Sequence, residues 1–371
     1  MDQNKPPGSS TRGFQGTLSE FGSRFGPGSI SKEGSMEQDT VKILVTLPRD
    51  RFFDRFFPVR QAERLEACGA VTWNPSSEQF SADELAGALA GTDLCLTGWH
   101  VPCVDHDLVQ HADRLRLVAH VGGTVATVAS ESLYARGIRV CSGNAVMARV
   151  VAEAILGYFL GGLRDLVTFD RNLHQEPGWL RDIERCRSLF GKTVGFVGLG
   201  TVGRALLELL RPFGVTVKVY DPYVDGGVLQ AWPYANQVDL EECLRSSDVL
   251  SIHAARTDET RNLMNAERLS LLKDGALLVN AARGAIIDED ALVAELESER
   301  FSAVLDVYVH EPLPDDSPLR RMHNVILTPH IAGVPSHPLM AEAMVGEVER
   351  FISGKDLRYE IPVEQFRLMT R

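Results

Sequence analysis

Three short segments in the second half of the chain carry residue types that do chemistry together. They are Asn280-Ala-Ala-Arg283-Gly284, Asp306-Val-Tyr-Val-His-Glu311-Pro312 and Thr328-Pro-His330-Ile-Ala-Gly333. A histidine exchanges protons near neutral pH, which makes His330 the candidate partner for a reacting hydroxyl oxygen. A carboxylate beside it favours the protonated ring and fixes one tautomer, and Glu311 suits that place. Arg283 supplies a permanently charged planar donor for a carboxylate and a neighbouring carbonyl. Taken singly, Arg283 could pair with a surface acid, Glu311 could cap a loop and His330 could be structural. The three together, downstream of the motif that follows, are harder to dismiss.

That motif runs from Thr193 through Gly198-Leu-Gly200-Thr201-Val202-Gly203 to Val219-Tyr-Asp221. The apolar run 194–197 predicts a parallel strand buried on both faces. Val202, Leu206, Leu209 and Leu210 recur at helical spacing, and Pro212 and Gly214 end that helix. A second strand over 215–220 ends in Asp221, near the ~20-residue spacing of an acid that hydrogen-bonds a ribose 2′-hydroxyl. Gly198 permits the tight turn, Gly200 the approach of a pyrophosphate, and Gly203 close packing of helix on strand. The phosphates would sit on the unpaired amides of the helix N-terminus. The expected cofactor is NAD.

The elements that must hold these groups read as an α/β chain of two doubly wound parallel sheets, with the active-site cleft between them. Strands are expected at 42–47, 70–73, 93–97, 115–121 and 138–141, with helices at 57–68, 82–89, 104–112 and 130–136. A long apolar helix is expected over 145–173, as core or as the seam of a homodimer, with Glu153 a cap or pairing partner. Polar residues 174–191, with Pro177 and Gly178, lead into the glycine motif. Beyond Asp221, helices at 240–245, 266–272 and 289–296 alternate with strands at 249–253, 276–280, 302–306 and 325–327. A helix over 339–352 closes the fold. Ligands gather at the carboxyl ends of such strands, which singles out two loops as substrate contacts. One carries Trp99 and His100, the other Gly122 and Gly123, whose amides are free for an anion.

The 371 residues suffice for two α/β domains, and 44% hydrophobic and 24% charged content is that of a globular protein. A net charge of −12 argues against nucleic acid and against anionic membranes. No apolar run is expected to reach a membrane span, and no signal-peptide core opens the chain. Six scattered cysteines read as buried thiols of a cytoplasmic protein, with no metal and no disulfide framework. Residues 1–39, rich in Gly, Ser and Pro, read as a disordered tail. Phe14, Phe21 and Phe25 are possible docking points in it, and Met36 leaves the start of translation open.

Residues 41–358 resemble the D-isomer-specific 2-hydroxyacid dehydrogenase family through Gly198-Leu-Gly-Thr-Val-Gly203, Asn280-Ala-Ala-Arg-Gly284, and Leu305-Asp-Val-Tyr…Glu311-Pro with Thr328-Pro-His330. The resemblance implies an NAD-dependent oxidoreductase interconverting a small 2-hydroxy acid and its 2-oxo acid. Arg283, Glu311 and His330 fall on the family's catalytic Arg, Glu and His, and Asp221 on its NAD-selecting acid. The expected cofactor contacts are Gly198, Gly200, Thr201, Val202, Gly203, Asp221, His253, Ala254, Thr260, Ala281, Asp306 and His330. The expected substrate contacts are Gly122, Gly123, Arg283, Trp99 and His100. The resemblance also implies a substrate domain at 40–143 completed by 332–358, an NAD-binding domain at 144–331, a tail at 359–371, and a homodimer through 145–173.

Two departures stand out. The substrate loop reads Val121-Gly122-Gly123-Thr124-Val125 where the family usually has a single Val-Gly before an aromatic-Asp-Asn. Ala255 replaces the proline of the His-x-Pro-x-Thr loop, where Arg256 would meet a cofactor phosphate or simply water. The alternative reading is an NAD-sensing binding protein of the co-repressor kind on the same fold. The substrate itself stays open.

Overall fold

Short apolar runs of β-branched and leucine residues, each followed by a helix, set the architecture. In the computed structural model, which describes residues 40–175, 179, 183–367 and 369, β1 (Lys42–Val45), β2 (Ala70–Trp73), β3 (Leu94–Thr97), β4 (Leu117–His120) and β5 (Arg139–Ser142) form a first sheet. Its order is β2-β1-β3-β4-β5 and every pairing is parallel. The second sheet comprises β6 (Thr193–Val197), β7 (Thr216–Tyr220), β8 (Ala235–Gln237), β9 (Val249–Ile252), β10 (Leu277–Asn280), β11 (Ser302–Leu305) and β12 (Val325–Leu327). It is also wholly parallel, in the order β12-β11-β10-β9-β6-β7-β8. The expectations for 1–39, including Phe14, Phe21, Phe25 and Met36, and for Pro177 and Gly178 lie outside the described residues.

The helices are α1 (Phe53–Phe56), α2 (Val59–Glu66), α3 (Ala82–Leu89), α4 (His106–Val109), α5 (Glu131–Ala135), α6 (Asn144–Leu163) and α7 (Leu166–Gln175) in the first half. α8 (Thr201–Leu210), α9 (Leu240–Ser246), α10 (Ala266–Leu269), α11 (Glu289–Glu297), α12 (His337–Ile352) and α13 (Val363–Phe366) follow. Local chemistry starts many of them. Ser81 and Glu84 close a capping box on α3, and Asp239, Asn265 and Asp288 accept amides at the starts of α9, α10 and α11. Each such cap is worth about 1 kcal/mol.

Alternate residues of the central strands go to opposite faces, both buried: β3, β4, β9 and β10 are buried throughout. On the first sheet Leu44, Cys95, Val118 and Val140 pack against Leu85, Leu89, Leu108 and Leu133 of α3 to α5. Ile43, Val45, Leu96, Leu117 and Ala119 pack against Met340, Ala341, Met344, Val345 and Val348 of α12. The C-terminal helix thus returns to the first sheet, and each such side chain contributes roughly 1.5–3 kcal/mol on burial. α6 lays Ile155, Phe159 and Leu163 on the second sheet beside Leu206 and Leu210 of α8.

Several expectations are corrected. The single helix over 145–173 is two, because Asp165 adopts a left-handed conformation (φ 51°) and pairs with Arg185 at 2.9 Å. By length and composition α6 does reach the threshold of a membrane span. It is a core helix, packed on α8, β10 and α12 and carrying Arg149 and Glu153. The helix expected over 57–68 starts after Pro58, as Val59–Glu66, and that over 104–112 shrinks to four residues. Three cysteines are buried (Cys95, Cys141, Cys243), while Cys68 and Cys103 are half-buried and Cys186 is exposed. The segment expected as a tail from 359 is docked: Glu360 bridges to Cys141 and receives a two-pronged Arg139 contact, Ile361 is buried, and Phe366 packs on Tyr134.

Candidate active site

The second sheet reverses its order between β6 and β9, and the crevice beyond the carboxyl ends of those strands is where such sheets bind ligands. The glycine turn leaves β6 there. Gly198 has φ 95°, and a Cβ on it would come within 2.7 Å of the Ala254 amide nitrogen. Gly200 starts α8 without a capping side chain, and the amides from Gly200 to Gly203 donate to no protein group among the described residues. A Cβ on Gly203 would meet Leu199 at 3.4 Å and the Gly198 carbonyl at 3.6 Å, ordinary van der Waals contact, so the helix packs closely here without requiring glycine as strictly as Gly198 does. Thr201 and Val202 occupy the first helical turn. Asp221 ends β7 with Oδ2 accepting from the Leu199 amide (2.7 Å) and Oδ1 from that of Tyr223 (2.9 Å). These donors suit a pyrophosphate, and this fixed carboxylate suits a ribose diol, so the residues present fit a dinucleotide.

His253 follows β9. Its ring lies 4.6 Å from that of Phe196, Nε2 is buried without a partner, and burial pushes the pKa down to about 3. Thr260 fastens the next loop: its hydroxyl accepts from the Thr257 amide (2.8 Å) and donates to the Ala255 carbonyl (2.6 Å). That clasp stabilises the loop in which Ala255 stands for proline.

Asn280, buried at the end of β10, shapes the next turn by donating to the Arg283 carbonyl and accepting from the Ala282 amide, both at 3.0 Å. Ala281 lies in that turn, half-buried. Arg283 projects beyond it and donates to the Ala282 carbonyl. Loss of surrounding water, then the nearby Arg256 charge, lowers its pKa from the ordinary value, while Glu311 acts in the opposite direction. Gly284 lies against the Tyr308 backbone so closely that no side chain would fit, which ties the Arg283 turn to the Glu311 segment.

Glu311 and His330 meet: Oε2 lies 2.7 Å from Nδ1, and Oε1 accepts from the Tyr308 amide at 3.0 Å. Burial pushes the Glu311 carboxyl up, but His330 and the Tyr308 amide outweigh it and leave it below the ordinary carboxylate range. His330 itself is left-handed (φ 52°), a strained backbone for a non-glycine residue. Asp306 holds that turn. It is buried, and its Oδ1 accepts from Thr328 Oγ1 (2.6 Å), the Ile331 amide (2.9 Å) and Tyr158 of α6 (3.2 Å), while Oδ2 accepts from Ala332 (3.0 Å). These bonds tie the His330 turn to α6 and to the end of β11, so Asp306 supports the turn that carries His330.

The first sheet supplies the opposite side. Gly122 and Gly123 follow β4, are buried, and donate neither amide to the protein among the described residues. The imidazole of His120 lies under Gly122, leaving no room for a side chain there. His120 Nδ1 is 3.0 Å from Thr97 Oγ1, its Nε2 has no partner, and burial pushes its pKa down to about 4. Asn144, beside Gly123, donates to Thr201 Oγ1 at 3.4 Å, and Met147 lies against both Gly123 and Gly333. These contacts bring the glycine loop, the start of α8 and the His330 segment together. Trp99 is partly exposed, packed on Phe56 and His337. His100 is exposed and left-handed (φ 64°) and hydrogen-bonds to nothing among the described residues.

Sequence reasoning missed the supporting residues Asn144, Met147, Tyr158 and Thr328. Tyr158 reads as one more apolar position of a helix, and only the fold shows its hydroxyl reaching Asp306.

A glycine cradle suited to a dinucleotide, a histidine–carboxylate pair and the Arg283 guanidinium are the parts of a site suited to nicotinamide-dependent hydride transfer. Comparison with known proteins specifies the family. The model of the D-isomer specific 2-hydroxyacid dehydrogenase NAD binding domain matches residues 156–332. A glyoxylate reductase of Thermofilum pendens is 31% identical over 320 residues, 82% of this chain and 94% of that protein. A D-3-phosphoglycerate dehydrogenase of Methanocaldococcus jannaschii is 30% identical over 78% of this chain, which spans only 53% of that longer protein. A solved Thermus thermophilus structure, 28% identical, superposes with a TM-score of 0.70 over 87% of this chain and 100% of its own. The chain belongs to the D-isomer-specific 2-hydroxyacid dehydrogenase family, whose members pair a nicotinamide dinucleotide with a hydroxy or oxo acid.

Proposed function

We propose that this chain reduces a 2-oxo acid to the 2-hydroxy acid with NADH, and runs the reverse reaction with NAD. The observation that carries this reading is the 2.7 Å contact of Glu311 with His330 Nδ1. It commits Nδ1 to the carboxylate and leaves Nε2 free on a half-exposed ring. The glycine cradle would hold the dinucleotide by its pyrophosphate, and the bound cofactor would supply or take the hydride through its nicotinamide. Arg283 binds the substrate carboxylate and polarises the carbonyl, with the unpaired Gly122 and Gly123 amides sharing the carboxylate. His330 gives its Nε2 proton to the developing alkoxide, and Glu311 stabilises the charged ring before that transfer. Asp221, already fixed by two amides, disfavours a 2′-phosphate and so selects NAD over NADP. His253, Ala254, Thr260 and Ala281 line the nicotinamide side.

The substrate part comprises the first sheet and α12, and the NAD-binding part the second sheet. A homodimer through α6 and α7 and a cytoplasmic setting complete the reading, the latter supported by the free thiols of Cys68, Cys95, Cys141, Cys186 and Cys243.

The test is NADH and NADPH consumption across a panel of 2-oxo acids, with Arg283→Ala in parallel. At least one acid should turn over with NADH preferred, and the variant should lose about 10²-fold or more in kcat/KM, as expected when a charged, bidentate contact is removed. Tight NADH binding without reduction of any acid would favour a dinucleotide-sensing binding protein instead. A preference for NADPH would remove the role given to Asp221.

A further inference from the structure

The first sheet has its own reversal of strand order, between β1 and β3. The crevice at a reversal is where an open parallel sheet presents its ligand site, so the loops leaving β1 and β3 at their carboxyl ends face it. Across that crevice three rings meet. Phe56 of α1 stacks on His337 with centroids 4.3 Å apart and planes 14° apart. Trp99, from the loop after β3, meets both edge-on at 5.4 Å. His337 opens α12, a few residues beyond His330, so the ring cluster is joined through one short segment to the acid–base histidine. The Trp99 carbonyl is held by Gln79 Nε2 at 3.1 Å, which fixes the indole's loop.

This cluster is not a closed core. Trp99 keeps 38% of its surface exposed, and neighbouring Phe52 37%. His337 presents an uncharged face: Nδ1 is buried without a partner, and burial with the Arg55 charge keeps the ring below the ordinary histidine pKa. Around it, Arg51 and Arg55 lie over Phe52 at 4.6 and 5.2 Å, and Arg49 over Phe53 and Trp73 at 5.5 and 5.6 Å. Those guanidiniums lie over rings other than that of Trp99.

We propose that Trp99, Phe56 and His337 form the wall that receives the substrate beyond its 2-oxo carboxylate, and that the substrate is a 2-oxo acid with an aromatic or bulky apolar side chain. The proposal rests on the oxidoreductase reading above. A fourth ring arriving edge-on or offset against Trp99 continues the packing already present among the three. Glyoxylate, with only hydrogen in that place, gains nothing from the wall.

The experiment compares kcat/KM for phenylpyruvate, 4-methyl-2-oxopentanoate, glyoxylate and 2-oxoglutarate with NADH, in the wild-type full chain and in Trp99→Ala and Trp99→Phe. Phenylpyruvate or 4-methyl-2-oxopentanoate should exceed glyoxylate by about 10²-fold, on the scale of discrimination that apolar pockets reach. Trp99→Ala should cut that ratio about tenfold or more, and Trp99→Phe should restore most of it. Thermal melting and NADH affinity check that the variants fold. Preference for glyoxylate, preference for the dicarboxylate 2-oxoglutarate, or a ratio unmoved in Trp99→Ala would each overturn the proposal while leaving the oxidoreductase reading intact. No turnover of any acid by the wild type, with NADH bound, would overturn both.

Discussion

At residue scale the His330–Glu311 pair shows how much a single contact must be prepared. The ring sits on a left-handed backbone, and Asp306 grips the two amides that follow it. Strain of this kind persists only where surrounding bonds over-determine it. Glu311 then commits one ring nitrogen, so the other faces outward. Glu311→Gln retains a hydrogen-bonding partner for Nδ1 but removes the charge that stabilises imidazolium. We expect kcat for oxo-acid reduction to fall about 10²-fold or more, within the usual range of acid–base catalysis, with KM for the acid changed only a few-fold. Steady-state kinetics on whichever panel acid the wild type reduces would show it, and an unchanged kcat would take Glu311 out of the proton path.

At element scale the sequence was most legible where chemistry constrains spacing, and least where packing alone decides. The Gly198–Gly203 turn and the strand-end positions of Arg283 and His330 could be anticipated, since each needs particular residues at particular intervals, whereas the return of α12 to the first sheet followed only from the family resemblance. The break at Asp165 could not, because the apolar pattern continues past it into α7 and only the contacts of Asp165 with Arg185 and of the Leu163 carbonyl with Arg187 mark it. Edge strand β8, three residues of mixed polarity, carried no periodic signal. The break matters for assembly. Beyond it α7 buries no residue, leaving Leu166 57% and Leu173 51% exposed at a helical spacing that puts them on one face. An exposed apolar helix face suits the homodimer proposed above. The full chain should therefore sediment as a dimer at micromolar concentration, and the double variant Leu166→Asp, Leu173→Asp should sediment as a monomer. A wild-type monomer under those conditions would rule out the interface.

At the scale of the whole molecule, the two sheets share a liability that links the site to stability. Each places a histidine with an enclosed, unpartnered Nε2 at the ligand edge of a strand: His120, buried at the end of β4 under the Gly122 loop, and His253, half-buried just past β9 beside the glycine turn. In the unfolded chain both titrate near 6.5. In the fold burial moves them to about 4 and about 3. Between those values and 6.5 the unfolded chain binds more protons than the folded one. Their contribution is therefore complete above about pH 6.5 and is lost as pH falls, by up to about 1.4 kcal/mol per pH unit for each ring. Carboxylates add their own losses mainly below pH 5, so the window from 6.5 to 5 isolates the histidines. Unfolding free energies measured by urea titration across that window should fall steeply in the wild type. His120→Gln and His253→Gln, which remove the titrating group and keep a polar side chain, should each flatten the slope whatever they do to stability at pH 7. A wild-type slope retained in both variants would mean that these rings are charged in the fold, or that water reaches them. The neutral packing under the Gly122 loop and against Phe196 would then have to be abandoned.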